Sequence, residues 1–413
     1  MGISIGLVGL GAFGSAFARL FKAHPLVDRI GLCDCEESKV LQFSEDPFMK
    51  DKVSPKDLYT NLDDICKSDL DALVIITQPW LHAPQCIQAL NSGKAVYSAV
   101  PVIQVPDGDE ILDWCHQLKE AVKRNGREYM LGETTVYHSQ TMFCRRMANE
   151  GRFGKFVYAE GEYTHDLDAP CSLREVMQIR TTGVVGRDYN KIMDKYWSKN
   201  IKGGPMFYPT HSVSGPLAVM QAKALKVSAY GYRNQSKDSF FDGDEFSNIS
   251  ALFQMDNGAA LRICEFRECG CLAMDRHEEE TFRIVGTSGS FGQDIWEENK
   301  RTSENTAVRP IEHTKLTQEQ MRDRLPEAVI HEFKKVMNLE HKKDMLTAAQ
   351  DADFVPEGHG GSHPYLVNEF CFAVAENRKP SIDIDTASHY MAMGVAAHKS
   401  ALKNGEIVEV TKI

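Results

Sequence analysis

One short segment limits the fold of this chain more than any other, a glycine-rich turn between an apolar run and a helical pattern. The run from Ile3 to Gly9 is typical of a buried strand, and Ala12 to Ala23 has helical periodicity. The turn that joins them reads G-x-G-x-x-G, with glycines at Gly9, Gly11 and Gly14. Gly9 permits a tight turn, Gly11 lets a pyrophosphate approach the backbone, and Gly14 lets the helix pack on the strand. The segment therefore predicts a dinucleotide-binding βαβ unit.

An acidic residue after the second predicted strand indicates which dinucleotide would bind. Asp34 sits at the end of the strand from Arg29 to Cys33 and lies 20 residues after Gly14. A carboxylate there can accept hydrogen bonds from both ribose hydroxyls and would repel a 2′-phosphate, so NAD is favoured over NADP. Ala12 and Phe13 begin the helix whose N-terminus faces the phosphates. The alternative is a glycine-rich turn in a sheet that binds nothing.

The pattern of strands changes part-way along the chain. Short buried strands, such as Ala72 to Thr77 and Ala95 to Ser98, alternate with helices as far as Gly132. This alternation is typical of parallel βαβ units. Later strand patterns, such as Phe156 to Tyr163 and Ser247 to Met255, are longer, amphipathic and separated by turns, which indicates an antiparallel or mixed sheet.

We therefore predict an α/β protein of two domains. Residues 1–132 are expected to form an N-terminal Rossmann domain with a doubly wound parallel sheet. Residues 133–413 are expected to form an α+β domain with a large, open, mixed or antiparallel sheet. Polar stretches at about 293–324 and 340–362 are expected to be loops or surface insertions, and 168–202 an insertion near the mouth of a pocket.

Charge and cysteine content exclude several classes of partner. Lys and Arg total 47 against 58 Asp and Glu, a net charge of −11, so neither a nucleic-acid footprint nor a polybasic membrane patch is expected. No stretch approaches the roughly 18 apolar residues of a membrane span. Eleven scattered cysteines, an odd number, are typical of reduced cytoplasmic thiols. Cys269-Gly270-Cys271 with His277 lacks the paired spacing of zinc sites, so no metal is expected.

Two segments after later strands carry a family resemblance. They are Thr77-Gln78-Pro79-Trp80-Leu81-His82 and Ser98-Ala99-Val100-Pro101. With these segments and the glycine-rich turn, the sequence resembles the Gfo/Idh/MocA oxidoreductases. The resemblance covers nearly the whole chain. The resemblance implies that the cofactor site includes Thr77, Pro79, His82, Val100 and Pro101. Most members have Glu-Lys-Pro where this chain has Ala99-Val100-Pro101, so the usual lysine chemistry is absent here.

That departure points to one branch of the family. The segments that look like this branch are Met130 to Thr135, Glu162 to Asp166, Tyr208 to His211 and Gly358 to Gly361. The branch includes NAD-dependent glycosidases, such as bacterial α-N-acetylgalactosaminidases, and enzymes that oxidise the 3-hydroxyl of glycosides. The resemblance does not separate these two chemistries. It also implies a homo-oligomer, because the second-domain sheets of family members often pack face to face.

A histidine in a helix-start motif is the candidate general base. In Tyr208-Pro209-Thr210-His211, Pro209 disfavours a helical conformation at Tyr208, so a helix is expected to begin near Thr210 to Val213. Tyr208 and His211 would then project from one turn. A neutral imidazole, with a pKa near ~6.5, suits the removal of an alcohol proton as a hydride leaves. The alternative is that His211 caps the helix, or holds other site residues in place without contacting the substrate.

The other candidate residues are sugar contacts. The resemblance places the Tyr163 hydroxyl in the sugar pocket. There it would act as a base toward a C–H group if its neighbours lower its pKa, and otherwise as a hydrogen-bond donor to the sugar. The alternative is that the Tyr163 ring only packs within the sheet. His165 follows on the same strand pattern. Glu133 and His138 are expected to contact sugar hydroxyls or the nicotinamide ribose, unless Glu133 is a solvent-exposed hinge carboxylate. The glycines around His359 allow a ligand to approach the backbone, or mark a loop without function.

These predictions lead to one preferred function and two alternatives. The preferred function is NAD-dependent oxidation of a sugar or glycoside hydroxyl at C3, with His211 as base and Tyr208 orienting the alcohol. The first alternative is a redox-neutral glycosidase that oxidises C3, removes the C2 proton, expels the aglycone, adds water and returns the hydride. The second is a non-catalytic NAD(H)-binding regulator. A small-molecule sugar is the expected partner in the first two.

Overall fold

The computed structural model describes residues 2–165, 167–168, 172–182, 184–270, 278–299, 311–341, 354, 356 and 358–413. Strands and helices alternate in the first part of the chain. In order they are β1 Ile3–Val8, α1 Ala12–Ala23, β2 Val27–Cys33, α2 Glu37–Glu45, β3 Val53–Tyr59, α3 Leu62–Cys66, β4 Ala72–Ile75, α4 His82–Asn91, β5 Ala95–Ser98, α5 Gly108–Asn125 and β6 Tyr129–Leu131.

Strands dominate the part that follows, and helices close the chain. In order the elements are α6 Ser139–Asn149, β7 Phe156–His165, α7 Leu173–Thr182, α8 Gly186–Trp197, α9 Thr210–Met220, β8 Ala224–Tyr232, β9 Asn248–Met255, β10 Ala260–Phe266, β11 Glu278–Gly286, β12 Gly289–Gly292, β13 Ile295–Asn299, β14 Ile311–Lys315, α10 Gln318–Met321, α11 Glu327–His341, α12 His363–Glu376, α13 Ile384–Leu402 and β15 Val408–Glu409.

The chain folds into two compact units, each made of three segments. Unit 1 comprises Met1–Ile103, Trp114–His138 and Asp323–Ala387, and unit 2 comprises Gln104–Asp113, Ser139–Arg322 and Ser388–Ile413. The sequence prediction had a single boundary after residue 132. Residues 323–387 return to unit 1 because α11 and α12 pack on α1, with the rings of Phe21 and Phe370 6.1 Å apart.

Unit 1 is built on a six-stranded parallel sheet in the order β3-β2-β1-β4-β5-β6. This is the strand order of a dinucleotide-binding Rossmann sheet, and the prediction of that fold is confirmed. All four residues of β4 are buried, which agrees with its continuous apolar sequence. In such sheets ligands bind beyond the carboxyl ends of the strands, where the turns after β1, β2, β4 and β5 lie.

Unit 2 contains a nine-stranded sheet in the order β14-β13-β12-β11-β7-β10-β9-β8-β15. Only β7 and β10 run parallel, so the predicted mixed sheet is confirmed. Burial alternates along β9, where Phe253 is buried and Leu252 is 52 % exposed. One face is therefore covered, and α9 packs on it against β7, β10 and β11. The other face of β9 is exposed.

Loops or surface insertions were predicted at about 293–324, and the loop alternative was wrong because this stretch contains β13, β14 and α10. Trp296 anchors the outer strands: it is 4 % exposed and its ring lies 4.9 Å from that of Phe153. Among residues 295–298 of β13 Trp296 is the one buried residue, and residues 312–315 of β14 are all exposed, so both strands look polar in sequence. Of the second predicted loop region, 340–362, most residues lie outside the described part. The expected insertion at 168–202 contains α7 and α8.

Candidate functional site

The glycine-rich turn has the geometry that its sequence predicts. Gly9 has φ +94°, and a Cβ atom there would lie 2.1 Å from the carbonyl oxygen of Ile76. A Cβ atom on Gly14 would lie 2.0 Å from the carbonyl oxygen of Gly9, so only glycine fits at both positions. Gly11 differs, because nothing lies within 4 Å of the place where its Cβ atom would be. That open side is the room a pyrophosphate needs.

The start of α1 faces this open space with backbone donors. Gly11 is its N-cap residue and has no side chain to accept from the helix. The N–H groups of Ala12 and Phe13 therefore need another acceptor, and an anion at a helix N-terminus supplies one. The predicted phosphate contacts of this turn fit the structure.

Asp34 holds the turn and has acceptor capacity left for a ribose. It is 8 % exposed and follows β2. Its Oδ2 accepts the N–H of Leu10 at 2.8 Å, and its Oδ1 accepts the N–H of Glu36 at 2.9 Å. A carboxylate has about four lone-pair directions, so these two bonds leave room for hydroxyl donors. Asp34 and the open glycine turn together fit NAD.

His82 fastens the turns that follow β4 and β5. It is buried, with Nδ1 2.8 Å from the carbonyl oxygen of Pro101 and Nε2 3.3 Å from that of Thr77. The imidazole therefore joins the two predicted cofactor segments. Pro79 lies in the first of these turns, and Val100 is buried in the second. Direct contact of these residues with the cofactor stays a prediction.

A cluster of aromatic rings lies beside the glycine-rich turn. The ring of Phe13 is 5.5 Å from that of His359 and 5.6 Å from that of His363. A Cβ atom on Gly360 would lie 2.8 Å from Nε2 of His138, so this glycine lets the loop close against the histidine. The structure thus brings together Phe13, His138 and His359, all predicted as site residues. Burial lowers the pKa of His363, which sequence reasoning missed, to about 3.

Glu133 is a buried carboxylate rather than an exposed hinge. It is 0 % exposed, and its Oε1 accepts the N–H of Thr135 at 2.9 Å. Burial, together with the charge of Glu133, raises the pKa of Tyr97 well above its usual range. The alternative of a solvent-exposed carboxylate is therefore wrong, and the predicted contact with a ribose or sugar stays a prediction.

In unit 2, α9 approaches the sheet unusually closely and carries the candidate base. The helix begins at Thr210, which confirms the predicted start. Pro216 has no N–H to bond the carbonyl of Ser212, four residues earlier. That carbonyl lies against Gly161 of β7, where a Cβ atom would be only 2.0 Å away. The glycine and the proline together let the first turn of α9 press His211 onto the strands.

The three predicted catalytic residues meet on this face. The ring of His211 lies 4.8 Å from that of Tyr163 and 5.3 Å from that of Tyr208, and the two tyrosine rings are 6.5 Å apart. The Tyr163 hydroxyl oxygen is 2.6 Å from Nδ1 of His165. His165 shares the face because it lies two residues further along β7. Asp166 lies outside the described residues.

A glutamate that sequence reasoning missed is the partner of His211. Nδ1 of His211 is 3.0 Å from Oε1 of Glu280, and each side chain is 7 % exposed. Glu280 is paired with Tyr163 in the register of β11 on β7. A carboxylate that accepts from Nδ1–H fixes the tautomer in which Nε2 carries the lone pair. Such a tautomer is the one a general base needs.

A second buried charge pair lies on the other side of Tyr163. Glu265 is 0 % exposed and pairs with Tyr163 in the register of β10 on β7. Its Oε2 accepts from Nη2 of Arg267 at 2.7 Å, and its Oε1 accepts from the Ser212 hydroxyl. Burial raises the pKa of Glu265 to about 7. The guanidinium of Arg267 lies 4.6 Å from the centre of the Tyr163 ring, a cation–π contact.

No group of three His, Cys, Asp or Glu side chains suited to a metal ion occurs in the described part of the chain. Cys271 and His277, which sequence reasoning considered as zinc ligands, lie outside it.

The beginning of the chain matches a known family. Residues 3–132 match the model of the Gfo/Idh/MocA oxidoreductase family, described as an NAD-binding Rossmann fold. This part of the chain therefore resembles the NAD-binding domain of that family. The match confirms both the family resemblance and the cofactor predicted from the sequence.

Relatives and solved structures extend the likeness beyond residues 3–132. A glycosyl hydrolase family 109 protein of Shewanella baltica is 26 % identical over 264 residues, which are 63 % of this chain and 49 % of the relative. An α-N-acetylgalactosaminidase of Shewanella oneidensis is 25 % identical over the same shares of each chain. The chain thus spans about half the length of the curated relatives it matches.

Two solved structures share the fold over the full chain. Levoglucosan dehydrogenase in complex with NADH is 17 % identical, with a TM-score of 0.69 and 100 % of both chains covered. Apo scyllo-inositol dehydrogenase from Lactobacillus casei is 15 % identical, with a TM-score of 0.64, covering 99 % of this chain and 98 % of that one. At these identities the likeness shows the fold.

Proposed function

We propose that the protein is an NAD-dependent oxidoreductase that oxidises a hydroxyl of a sugar or glycoside, at C3, to the ketone. The observation that carries the proposal is the buried pair of His211 and Glu280, 3.0 Å apart, beside Tyr163 and Tyr208. Bound NAD supplies the hydride acceptor. The family's usual lysine is absent at Val100, so the proton must be taken by another group.

His211 takes that proton at Nε2. As the imidazole becomes charged, the carboxylate of Glu280 stabilises it through the Nδ1–H bond, in a site where both side chains are almost fully buried. Tyr208 is half-buried next to His211 and orients the alcohol. Tyr163 and His165, joined by a 2.6 Å contact, bind a neighbouring hydroxyl. The sugar or ribose contacts of Glu133 and His359 stay predictions.

A redox-neutral glycosidase is the second candidate function. It is favoured by the Tyr163 hydroxyl, which has both a histidine partner at 2.6 Å and a guanidinium over its ring. Those neighbours suit a group that removes the C2 proton after C3 has been oxidised. The names of the glycosyl hydrolase family 109 relatives agree with this chemistry.

The test is incubation with stoichiometric NAD and a panel of aryl O-glycosides, C-glycosides and free hexoses, followed by absorbance at 340 nm and mass spectrometry. A product two mass units lighter that keeps its aglycone, formed with NADH, supports the dehydrogenase. Released aglycone with intact sugar and no lasting NADH supports the glycosidase. If NAD binds and neither change occurs, the regulator is favoured instead.

His211→Gln is the diagnostic variant for this panel. It is expected to abolish either reaction while NAD still binds, because the residue lies in unit 2 and the glycine-rich turn in unit 1. His313→Gln is the matched control, since His313 also pairs with a glutamate but is 60 % exposed. Full activity of His211→Gln would exclude His211 as the base.

The location and assembly of the protein are further proposals. Within the described residues, none of the helices is long and apolar enough to cross a membrane. No disulfide bond joins any two cysteines that the structure describes, which supports a cytoplasmic location. Exposed Tyr230, Tyr232 and Leu252 on β8 and β9 support a homo-oligomer formed through this sheet. Light scattering of the purified protein tests the assembly.

A further inference from the structure

A buried network of three side chains joins the strand that carries Tyr163 to the helix that carries His211. Arg267 follows β10, and its Nη2 donates to Oε2 of Glu265 at 2.7 Å. Oε1 of Glu265 accepts from the hydroxyl of Ser212, which is the residue after His211 in the first turn of α9. The exposed fractions are 1 % for Ser212, 0 % for Glu265 and 8 % for Arg267. The network lies within unit 2 and touches the elements that hold both reacting groups of the proposed site.

Arg267 holds Tyr163 at two places. Its guanidinium lies 4.6 Å from the centre of the Tyr163 ring, and its Nη1 donates to the carbonyl oxygen of Tyr163 at 3.5 Å. Nη1 also donates to the carbonyl oxygen of Phe266 at 3.0 Å, and the backbone N–H of Arg267 donates to Oδ1 of Asn248 at 2.8 Å. A planar guanidinium can bond through its edge while its face lies on an aromatic ring. Arg267 therefore fixes both the ring and the backbone of Tyr163.

Tyr163 lies between two acidic side chains in the sheet. The register sets Glu265 on one side of it and Glu280 on the other. Two carboxylates in these positions oppose ionisation of the phenol, because like charges repel. Glu280 is paired with His211 at 3.0 Å, and Glu265 is paired with Arg267 at 2.7 Å. A guanidinium stays charged at every pH a protein meets, so Arg267 offsets the charge of Glu265 throughout.

Stability does not account for this ion pair by itself. The cost of removing two charges from water can exceed their attraction, and apolar residues of similar volume often replace such a pair without loss of stability. The pair of Arg267 and Glu265 makes two contacts that apolar side chains could not make. One is the cation on the ring of Tyr163, and the other is the acceptor for the hydroxyl of Ser212.

We propose that Arg267 is a positioning residue for Tyr163, and that Glu265 and Ser212 join it to the turn that carries His211. The guanidinium holds the ring and favours ionisation of the phenol, whereas the carboxylate opposes that ionisation and holds the guanidinium. The inference rests on the proposed function, because it concerns the two groups that the proposed reaction uses. One network then sets the acidity of Tyr163 and the spacing between Tyr163 and His211.

The test follows the Tyr163 hydroxyl directly and needs no substrate. Tyr163 is replaced by 3-fluorotyrosine in the full chain, and fluorine NMR records the pH at which this ring ionises. Arg267→Met should move the ionisation to a pH higher by at least about 1 pH unit, because a cation close to the ring is lost. Glu265→Gln should move it to a lower pH, because an anion is lost. A network that only stabilised the fold would not produce two shifts of opposite sign.

Other titratable groups also face Tyr163, and the design keeps them constant. In addition to Arg267 and Glu265, they are His165 on β7, Glu280 on β11, and Tyr208 and His211 at the start of α9. These four side chains are the same in every variant. A difference between the variants therefore reports Arg267 and Glu265.

Arg152→Met is the matched control. Nε of Arg152 donates to Glu298 at 3.1 Å, and its guanidinium lies 5.5 Å from the centre of the Trp296 ring. The control thus loses an ion pair and a cation–π contact of the same kind, on the outer strands of the same sheet. It should leave the ionisation of the fluorotyrosine unchanged. Arg267→Lys keeps the charge but not the planar fork, so it should shift the ionisation less than Arg267→Met does.

Unchanged ionisation in Arg267→Met and Glu265→Gln, or shifts of the same sign, overturns the inference. If these two variants do not fold, Ser212→Ala decides, because it removes neither charge. Loss of the serine hydroxyl lets Glu265 take up a proton more readily, so the phenol should ionise at a lower pH than in the wild-type protein. An unchanged or higher value in Ser212→Ala then overturns the inference.

Two readouts separate this inference from the proposed function. Opposite shifts of the fluorine signal, without NADH from any sugar, would keep the positioning role of Arg267 and refute the oxidoreductase. NADH formed from a sugar, with the same ionisation in all variants, would keep the oxidoreductase and refute the positioning role.

Discussion

Replacing Glu280 by Gln isolates the contribution of its negative charge to the proposed base. Gln has nearly the same shape, and its amide oxygen can still accept the Nδ1–H of His211 across the 3.0 Å contact. What is lost is the charge that stabilises the imidazole once it has taken the proton. A hydrogen bond to a charged group contributes about 1.5–3 kcal/mol and a neutral one about 0.5–1.5 kcal/mol, so loss of the charge alone removes about 1–1.5 kcal/mol. Solvent screens little of this because each side chain is 7 % exposed. We therefore expect kcat/KM to fall roughly 5- to 10-fold.

The assay is the initial rate of NADH formation across pH, with a substrate deuterated at the oxidised carbon to confirm that hydride transfer is observed. The acid limb of the kcat/KM profile should move to lower pH in Glu280→Gln, because an imidazole without its anion gives up a proton more readily. Glu297→Gln is the control: Glu297 lies 2.9 Å from Nδ1 of His313, yet these side chains are 44 % and 60 % exposed. If Glu280→Gln keeps more than half of kcat/KM and an unchanged pH profile, the pair does not act in the reaction.

Three other perturbations test separate parts of the structure. Gly11→Ala should weaken NAD binding at least about 10-fold with little change in Tm, because its Cβ atom meets only open space. Gly14→Ala should instead lower Tm, because its Cβ atom would lie 2.0 Å from a carbonyl oxygen. Calorimetry measures NAD affinity and thermal unfolding measures Tm, and an unchanged NAD affinity of Gly11→Ala would contradict the phosphate site. Between pH 7.5 and pH 5, the free energy of unfolding measured in urea should fall by about 2 kcal/mol less in His363→Phe than in the wild-type protein. The sign follows because burial lowers the native pKa of His363 to about 3, so below about pH 6.5 the unfolded state binds more protons; an unchanged pH dependence would contradict it. Tyr163→Phe should leave hydride transfer measurable but abolish exchange of the sugar C2 proton with deuterated solvent, and exchange that persists would exclude Tyr163 as the C2 base.

Unit 1 was the more predictable part of the molecule because its signals are local. A Rossmann sheet repeats the same short unit, and each buried strand, such as β4, is a continuous apolar run. The roles of Gly9 and Gly14 follow from their own backbone and from the strand and helix that they join. The return of residues 323–387 to this unit was not predictable in the same way. It depends on packing of α12 on α1 across more than 300 residues of chain.

The candidate site in unit 2 could be predicted only in part. Tyr208 and His211 belong to one short motif, so their proximity follows from the local turn. Tyr163 joins them because Gly161 and Pro216 let α9 approach β7, and neither residue carries a chemical group that draws attention to it.

The position of Glu280 shows why the partner of the base could not be read from the sequence. It is the last of three consecutive glutamates, which residue type alone cannot distinguish. The register of β11 on β7 decides the matter, because it sets Glu280 opposite Tyr163. A slip of one residue would set Glu280 opposite Thr164 and turn its side chain to the other face of the sheet. Register is fixed by pairing between strands more than 100 residues apart, so the chemistry of His211 depends on a long-range property of the sheet.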